Sequence, residues 1–316
     1  MTTDVHTGSW RAMGCTVDSV IVGGSPALLE LARTSIDHLE QCWSRFKPVS
    51  DISRLNHSAG STTVLVDPTT VVLVQAMVDG WRVTDGAFDP TLLSPLVGLG
   101  YAASWHDSTA VTSLPKGASL RGDLDQVWID ETRNGVTVPV GMCLDAGGIG
   151  KGLAADLVVG ELLNAGARGA SVSIGGDVAV RGAAPQEGGW VIGVADPPDD
   201  NCESCQLVMV AGGVATSGTH RRTWRGDDGV TLHHLLDPAS ARPIHHAREI
   251  VAVTVIAGSA AWAEVWTKAA MVRGDVALAD LDQHGLGAQF TYADGSIAAN
   301  SRWAAFAVSP ASSSAQ

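Results

Sequence analysis

Asp145-Ala146-Gly147-Gly148-Ile149-Gly150-Lys151-Gly152-Leu153-Ala154-Ala155-Asp156 decides how this chain is read. A mostly β-branched run, Val136 to Val140, precedes it and continues to Leu144, and a helix-compatible run, Leu153 to Leu163, follows. The pattern predicts strand, glycine turn, helix. Glycines at 147, 148, 150 and 152 let the backbone approach something bulky with its amide N–H groups forward. Lys151 adds a cation beside a helix start, where phosphate is the commonest anion to settle. The spacing is not a Walker loop, which needs Gly where Asp145 stands and Ser or Thr where Gly152 stands. Nor is it the G-x-G-x-x-G dinucleotide fingerprint. A tight turn without a ligand is the competing reading.

Outward from this stretch, the 316 residues with 45% hydrophobic content can bury a large core in one domain or two. No linker or internal repeat interrupts the middle, so we expect one domain over residues 1–308 and a small polar tail, 309–316, that is disordered. A formal net charge of −13 argues against a nucleic-acid partner. No apolar run reaches the roughly 18 residues of a membrane span; the best candidate, Ile250 to Ala263, is shorter and leads into Glu264. Met1 to Trp10 shows no secretory signal, which makes the cytoplasm the expected compartment. The cysteines are Cys15, Cys42, Cys143, Cys202 and Cys205, an odd number that argues against a disulfide framework. Cys202 and Cys205 form a C-x-x-C with no second pair nearby, and an incidental loop pair is the default over zinc.

Along the chain, Thr16 to Val22 reads as a strand. Ser25-Pro26 opens a helix whose apolar positions run from Leu28 through Trp43 to Phe46, ending near Lys47-Pro48. Ser50 to Asn56 reads as a polar loop, Thr69 to Thr84 as a second helix opened by Asp67-Pro68, and Gly86 to Thr91 as its break. Gln126 to Ile129 and Val136 to Val140 form a hairpin around Arg133-Asn134-Gly135. Further strands are expected at 170–174, 178–180, 190–194, 206–210 and 249–255, with a late helix from Ala260 to Val272. Strands at hairpin spacing mixed with helices predict an α+β (mixed α/β) fold: one compact domain of mixed, largely antiparallel sheets flanked by helices.

Clusters that could carry chemistry fall at strand ends. They are Gly175-Gly176-Asp177, Thr216-Ser217-Gly218, and the pair His233-His234 before the Asp237-Pro238 turn. On the late helix Glu264 and Lys268 share a face, four residues apart. An ordinary surface ion pair would explain them, but their neighbours are almost all apolar, and an unneeded charge is costly in a buried helix. That favours a charged patch aimed at a bound anion or metal.

In this order the segments resemble the flavin transferase family, the FAD:protein FMN transferases of the ApbE type. The resemblance is carried by Arg11 to Gly14, Ser50-Asp51-Ile52-Ser53-Arg54-Leu55-Asn56, Gly86-Ala87-Phe88-Asp89-Pro90-Thr91, Asp145 to Asp156, Gly175-Gly176-Asp177, Thr216-Ser217-Gly218 and His234 to Pro238. It implies transfer of FMN from FAD to a Thr or Ser of an acceptor flavoprotein, with release of AMP and a need for Mg²⁺. It further implies that Met13, Ser50, Asp89, Asp145, Gly147, Gly148, Lys151, Gly175, Gly176, Asp177, Ser217, Gly218 and Lys268 bind the flavin nucleotide. His234 would accept the hydroxyl proton, with Asp237 and Lys268 as its catalytic companions. Such chemistry rests on charge neutralisation and positioning more than on covalent catalysis.

One block departs from the family pattern. The late helix resembles A-D-x-x-x-T, whose Asp and Thr hold magnesium with a backbone carbonyl, yet here Glu264 takes the Asp place and Lys268 the Thr place. The metal set implied is therefore Glu264 and the Gly150 carbonyl. A protonated lysine cannot coordinate a metal, and its ammonium could occupy the ion's place. Thr267 points about 100° away on an ideal helix. Three readings stay open: an active transferase with an altered metal site, a slow enzyme or FAD pyrophosphatase using Lys268, or a carrier that binds FAD without chemistry.

Overall fold

The computed structural model describes residues 4–196, 199–226 and 229–308; the tail 309–316 and the Cys202 side chain lie outside the described residues. Eight strands build the main sheet: β1 (Val5–Ala12), β2 (Cys15–Val22), β3 (Gly169–Ile174), β4 (Asp177–Gly182), β5 (Gly212–Gly218), β6 (Ile250–Ala257), β7 (Gly287–Tyr292) and β8 (Ile297–Ala299). Their order across the sheet is their order in the chain, and every neighbouring pair is antiparallel. Opposed residues such as Val17 and Ile174, or Ile21 and Ala170, share one face and enter the core together. Along β4 the faces alternate: Ala179 joins that core, while Val178 and Val180 meet Trp190, Ile192 and Leu207 of a small three-stranded sheet on the other side.

The helices are α1 (Ala27–Trp43), α2 (Asp51–His57), α3 (Pro68–Val83), α4 (Leu93–Gly98), α5 (Gly150–Asn164), α6 (Ala260–Arg273) and α7 (Ala277–Gln283). All but α4 join the cores packed on the first face, whereas α4 packs through Leu96 with Tyr101 and Leu236. In α1 the buried stripe is Leu28, Ala32, Ile36, Leu39 and Trp43. The helix stops there because Ser44 turns extended, so Phe46 continues the apolar spacing but not the helix. α5 lies over β3 and β4, α6 lies over β5 and β6, and the two helices pack together. The Asp156 carboxylate on α5 accepts the Ala260 and Ala261 N–H groups at 3.0 and 2.8 Å, holding the start of α6. The last residue of the opening stretch is thus a bolt between helices. The fold class matches the expectation.

Three further expectations change. Cys202 and Cys205 stand not in a loop but within the strand Asp199–Met209. The run Val136 to Leu144 is strand only over Gly135–Thr137, paired with Val64–Leu65 and Trp128–Asp130 in a small separate sheet. Pro139 offers no N–H and Gly141 has φ 78°, so a turn intervenes before the glycine stretch. Ser50 to Asn56 is not a loop but α2 with its cap: Ser50 Oγ accepts the Ser53 N–H at 3.1 Å. Its polar residues are buried because they serve backbone. Asn56 donates Nδ2–H to the Leu144 carbonyl at 2.9 Å and accepts the Leu144 N–H at 2.7 Å. Asn56→Ala is expected to lower stability by about 1–3 kcal/mol in urea unfolding, because it strands two buried backbone groups. An unchanged midpoint would show that water replaces the amide without loss.

Candidate active site

Several of the sequence blocks converge on Asp145 to Gly152. Asn56 holds Leu144, and the Pro90 carbonyl accepts the Asp145 N–H at 2.8 Å. Asp145 caps a short turn by accepting the Gly147 N–H at 3.0 Å, and Arg45 Nε stands 3.6 Å from the same carboxylate. Phe88 fills the space where a Gly148 Cβ would lie, 2.9 Å from that point, which explains why 148 is glycine. The first turn of α5 begins at Gly150, so Gly150, Lys151 and Gly152 are already helical. That helix start opens onto a cleft of about 500 Å³, a volume suited to a small ligand.

Behind the helix start lies a charged floor. Lys151 Nζ donates to Asp177 Oδ2 and, at 2.5 Å, to Glu264 Oε1. Lys268 Nζ reaches the same Glu264 oxygen at 3.2 Å, and Glu264 Oε2 accepts the Gly152 N–H at 2.8 Å. Glu264 is fully buried at 0% exposure. Burial alone would raise its carboxyl, but the two ammoniums pull it down to about 2. Burial lowers Lys268, with Glu264 opposing. Thr267 turns away: it pairs with Ser217 Oγ at 2.7 Å and donates to its own helix at the Glu264 carbonyl.

Of the residues singled out in the sequence, Met13, Asp89, Asp145, Gly147, Gly148, Gly150, Lys151, His234 and Lys268 line the cleft. Of the adjacent histidines, His234 lines the cleft, while His233 Nε2 lies 3.2 Å from the Ile244 carbonyl. His234 Nδ1 is buried without a hydrogen-bond partner. Burial first, then Arg222 and Lys268, holds His234 well below the usual histidine range, so the ring is neutral at pH 7.

The other candidates sit outside the lining. Asp177 and Glu264 lie beneath it, each bonded to Lys151. Ser50 is a helix cap. Gly175 and Gly176 are the positive-φ pair of a two-residue hairpin between Ile174 and Asp177. Ser217 ties β5 to α6, and Gly218 makes room for the His220 ring. Asp237 turns its carboxylate onto its own turn, to the Ala239 N–H and the Ser240 hydroxyl. Sequence reasoning missed Arg45, Tyr101 and Arg222, all in the lining. Arg45 stacks 4.3 Å from the Phe46 ring and 4.9 Å from the Tyr101 ring, a sandwich hinted at only by the aromatic run around it. Arg222 reaches Cys15 Sγ at 3.6 Å, a partner no local pattern shows.

The sequence model of the ApbE family matches residues 13–290. This chain belongs to the ApbE family. Among curated relatives, an FAD:protein FMN transferase of Klebsiella pneumoniae is 31% identical, over 79% of this chain and 79% of that protein. One of Treponema pallidum is 32% identical, over 78% and 72%. Among solved structures, the ApbE protein of Thermotoga maritima superposes with a TM-score of 0.81 at 28% identity, covering 96% of this chain and 99% of the other. The apo flavinyl transferase ApbE of Pseudomonas stutzeri gives 0.77 at 25% identity, covering 96% of each. The expected α+β architecture is that of these relatives.

The magnesium site implied by the resemblance does not fit this member of the ApbE family. Magnesium needs near-ideal octahedral oxygen ligation at about 2.0–2.1 Å. Here both Glu264 oxygens are already engaged, one of them by two ammoniums. At about 4 Å and an effective dielectric of about 20, two unit charges repel by about 4 kcal/mol, and a divalent ion doubles that against each lysine. Gly150 stays on the lining as a helix-start residue rather than as a ligand of such an ion.

Proposed function

We propose that this chain is an FAD:protein FMN transferase, moving FMN from FAD to a Thr or Ser hydroxyl of an acceptor flavoprotein and releasing AMP. The observation that carries the reading is the cleft itself: the α5 N-terminus, Lys268 and Arg222 meet there with a neutral His234 beside an aromatic wall. The relatives that share the family are named for this activity. The FAD diphosphate would lie against Gly147, Gly148, Gly150 and Lys151, where helix amides and cations favour an anion. Met13, Asp89 and Asp145 would border the rest of the nucleotide.

In the transfer, the acceptor oxygen forms a bond to the FMN phosphorus as the bridging P–O bond breaks, and AMP leaves with the bridging oxygen. His234 Nε2 takes the hydroxyl proton. Lys268 and Arg222 face the charge that builds on the phosphoryl oxygens. Residues 1–308 would form this one catalytic unit. Among the described residues no helix is long and apolar enough to cross a membrane.

The test follows AMP release and covalent flavin with FAD and an acceptor domain. Labelled acceptor with stoichiometric AMP supports the transferase. AMP alone would make the chain an FAD pyrophosphatase, and bound FAD with no AMP would make it a carrier. A second measurement concerns pH. A histidine held well below 6.5 stays unprotonated as pH falls through 6.5. The acid limb of kcat/KM is therefore expected well below pH 6.5. A limb at or above 6.5 would remove His234 as the base in this form.

A further inference from the structure

Resting on the transferase reading, we propose that the Lys268 ammonium stands in for a protein-bound divalent cation, so that this chain grips the flavin diphosphate with no metal held by α6. Position argues for it. Lys268 lines the cleft, and its Cε lies 3.9 Å from the point a Gly148 Cβ would occupy, so it faces the glycine turn directly.

Layering argues for it too. The side chains of Lys151 and Lys268 are each 17% exposed, whereas those of Asp177 and Glu264 beneath them are 3% and 0% exposed. At the floor of the cleft an arriving ion meets these two ammonium groups before the Asp177 and Glu264 carboxylates beneath them. Asp177 and Glu264 then act as counter-charges that keep two buried lysines ionised and aimed outward. With Arg222 the group carries three cations against two carboxylates, a surplus that suits the doubly charged diphosphate. Thr267 cannot restore an oxygen ligand, since its hydroxyl is bonded to Ser217 and to its own helix. The ammonium offers three donors to phosphoryl oxygens as a compact point charge.

The experiment uses Mn²⁺ as an EPR probe on the ligand-free full chain and FAD fluorescence for binding, each with and without chelator. The wild type is expected to show no tight Mn²⁺ site and to bind FAD equally well in EDTA. Lys268→Thr, which removes the ammonium and adds a hydroxyl, is expected to lose about 10- to 100-fold in FAD affinity in EDTA, the range of a charged hydrogen bond. It should regain part of that loss with Mg²⁺. A tight Mn²⁺ site in the wild type, or FAD binding abolished by EDTA, would overturn the inference and leave the transferase reading intact. FAD bound in EDTA with neither AMP nor labelled acceptor, whatever metal is added, would sink the transferase reading while the metal-free grip stands. No FAD binding under any condition removes both. The wild-type measurements need no variant, so a Lys268 variant that fails to fold leaves the proposal decidable.

Discussion

Gly152→Ala is expected to destabilise the chain by about 3 kcal/mol or more, at or beyond the upper end for overpacked cores. In an open helix the same change usually stabilises by about 0.4–1 kcal/mol, because alanine restricts the unfolded chain. The sign inverts here because of what the added carbon meets. A Cβ at 152 would lie 2.4 Å from the Ala260 carbonyl oxygen and 2.8 Å from the Ala261 nitrogen. These are backbone atoms at the start of α6, and the Asp156 carboxylate fixes that start. They cannot swing aside as a flexible side chain would. The helices must separate, drawing Glu264 away from the Gly152 N–H. Urea unfolding followed by circular dichroism measures the loss; a midpoint at or above that of the wild type would show that the crossing is looser than described.

Glu264→Gln is expected to cost about 3–5 kcal/mol, the usual effect of removing one partner from a buried ion group. The amide keeps the size of the side chain and can still accept the Gly152 N–H, so the loss reports charge rather than volume. Lys268 then has no close carboxylate, and Lys151 keeps only Asp177. The double variant Glu264→Gln with Lys268→Met is expected to recover part of the loss, because the stranded charge goes too. Strictly additive losses would mean that the two side chains do not interact.

The pH dependence has a definite sign. The folded-state carboxyl titrates near 2 against an ordinary value of 4.5. Its contribution is therefore present above about 4.5 and fades as pH falls toward 2. The gap in stability between wild type and Glu264→Gln should shrink across that window. A constant gap would place the effect elsewhere.

The parts of this architecture that were legible in the sequence share a physical cause. Gly147 to Gly152, Gly86 to Thr91 and the α6 run are local: their glycines, prolines and apolar spacing fix backbone shape within a few residues. What escaped was set by distant partners. Ser50 to Asn56 looked like a loop because polarity was equated with exposure, whereas Asn56 is buried on the Leu144 backbone 88 positions away. Arg45 sits where Thr112, Tyr101 and Asp145 meet, none of them near it in the chain. The Lys151 pairing was hidden for the same reason. Sequence gave it a free cation for a phosphate, while the fold ties it to Asp177 and Glu264. Only Lys268, four residues from Glu264 on one helix, carried its partner in plain view.

Glu264 touches Gly152 of α5 and Lys268 of its own helix at once, which constrains how descendants of this protein can vary. An aspartate at 264 would fall about 1.5 Å short, one C–C bond, of groups its predecessor spans. Replacing the lysine first leaves a buried carboxylate with one fewer counter-ion, and replacing the glutamate first strands the lysine. Either single step passes through a weakened intermediate, so the pair is expected to be inherited or exchanged as a unit. Lineages carrying one form would reach the other only with a prior gain in stability elsewhere in the fold.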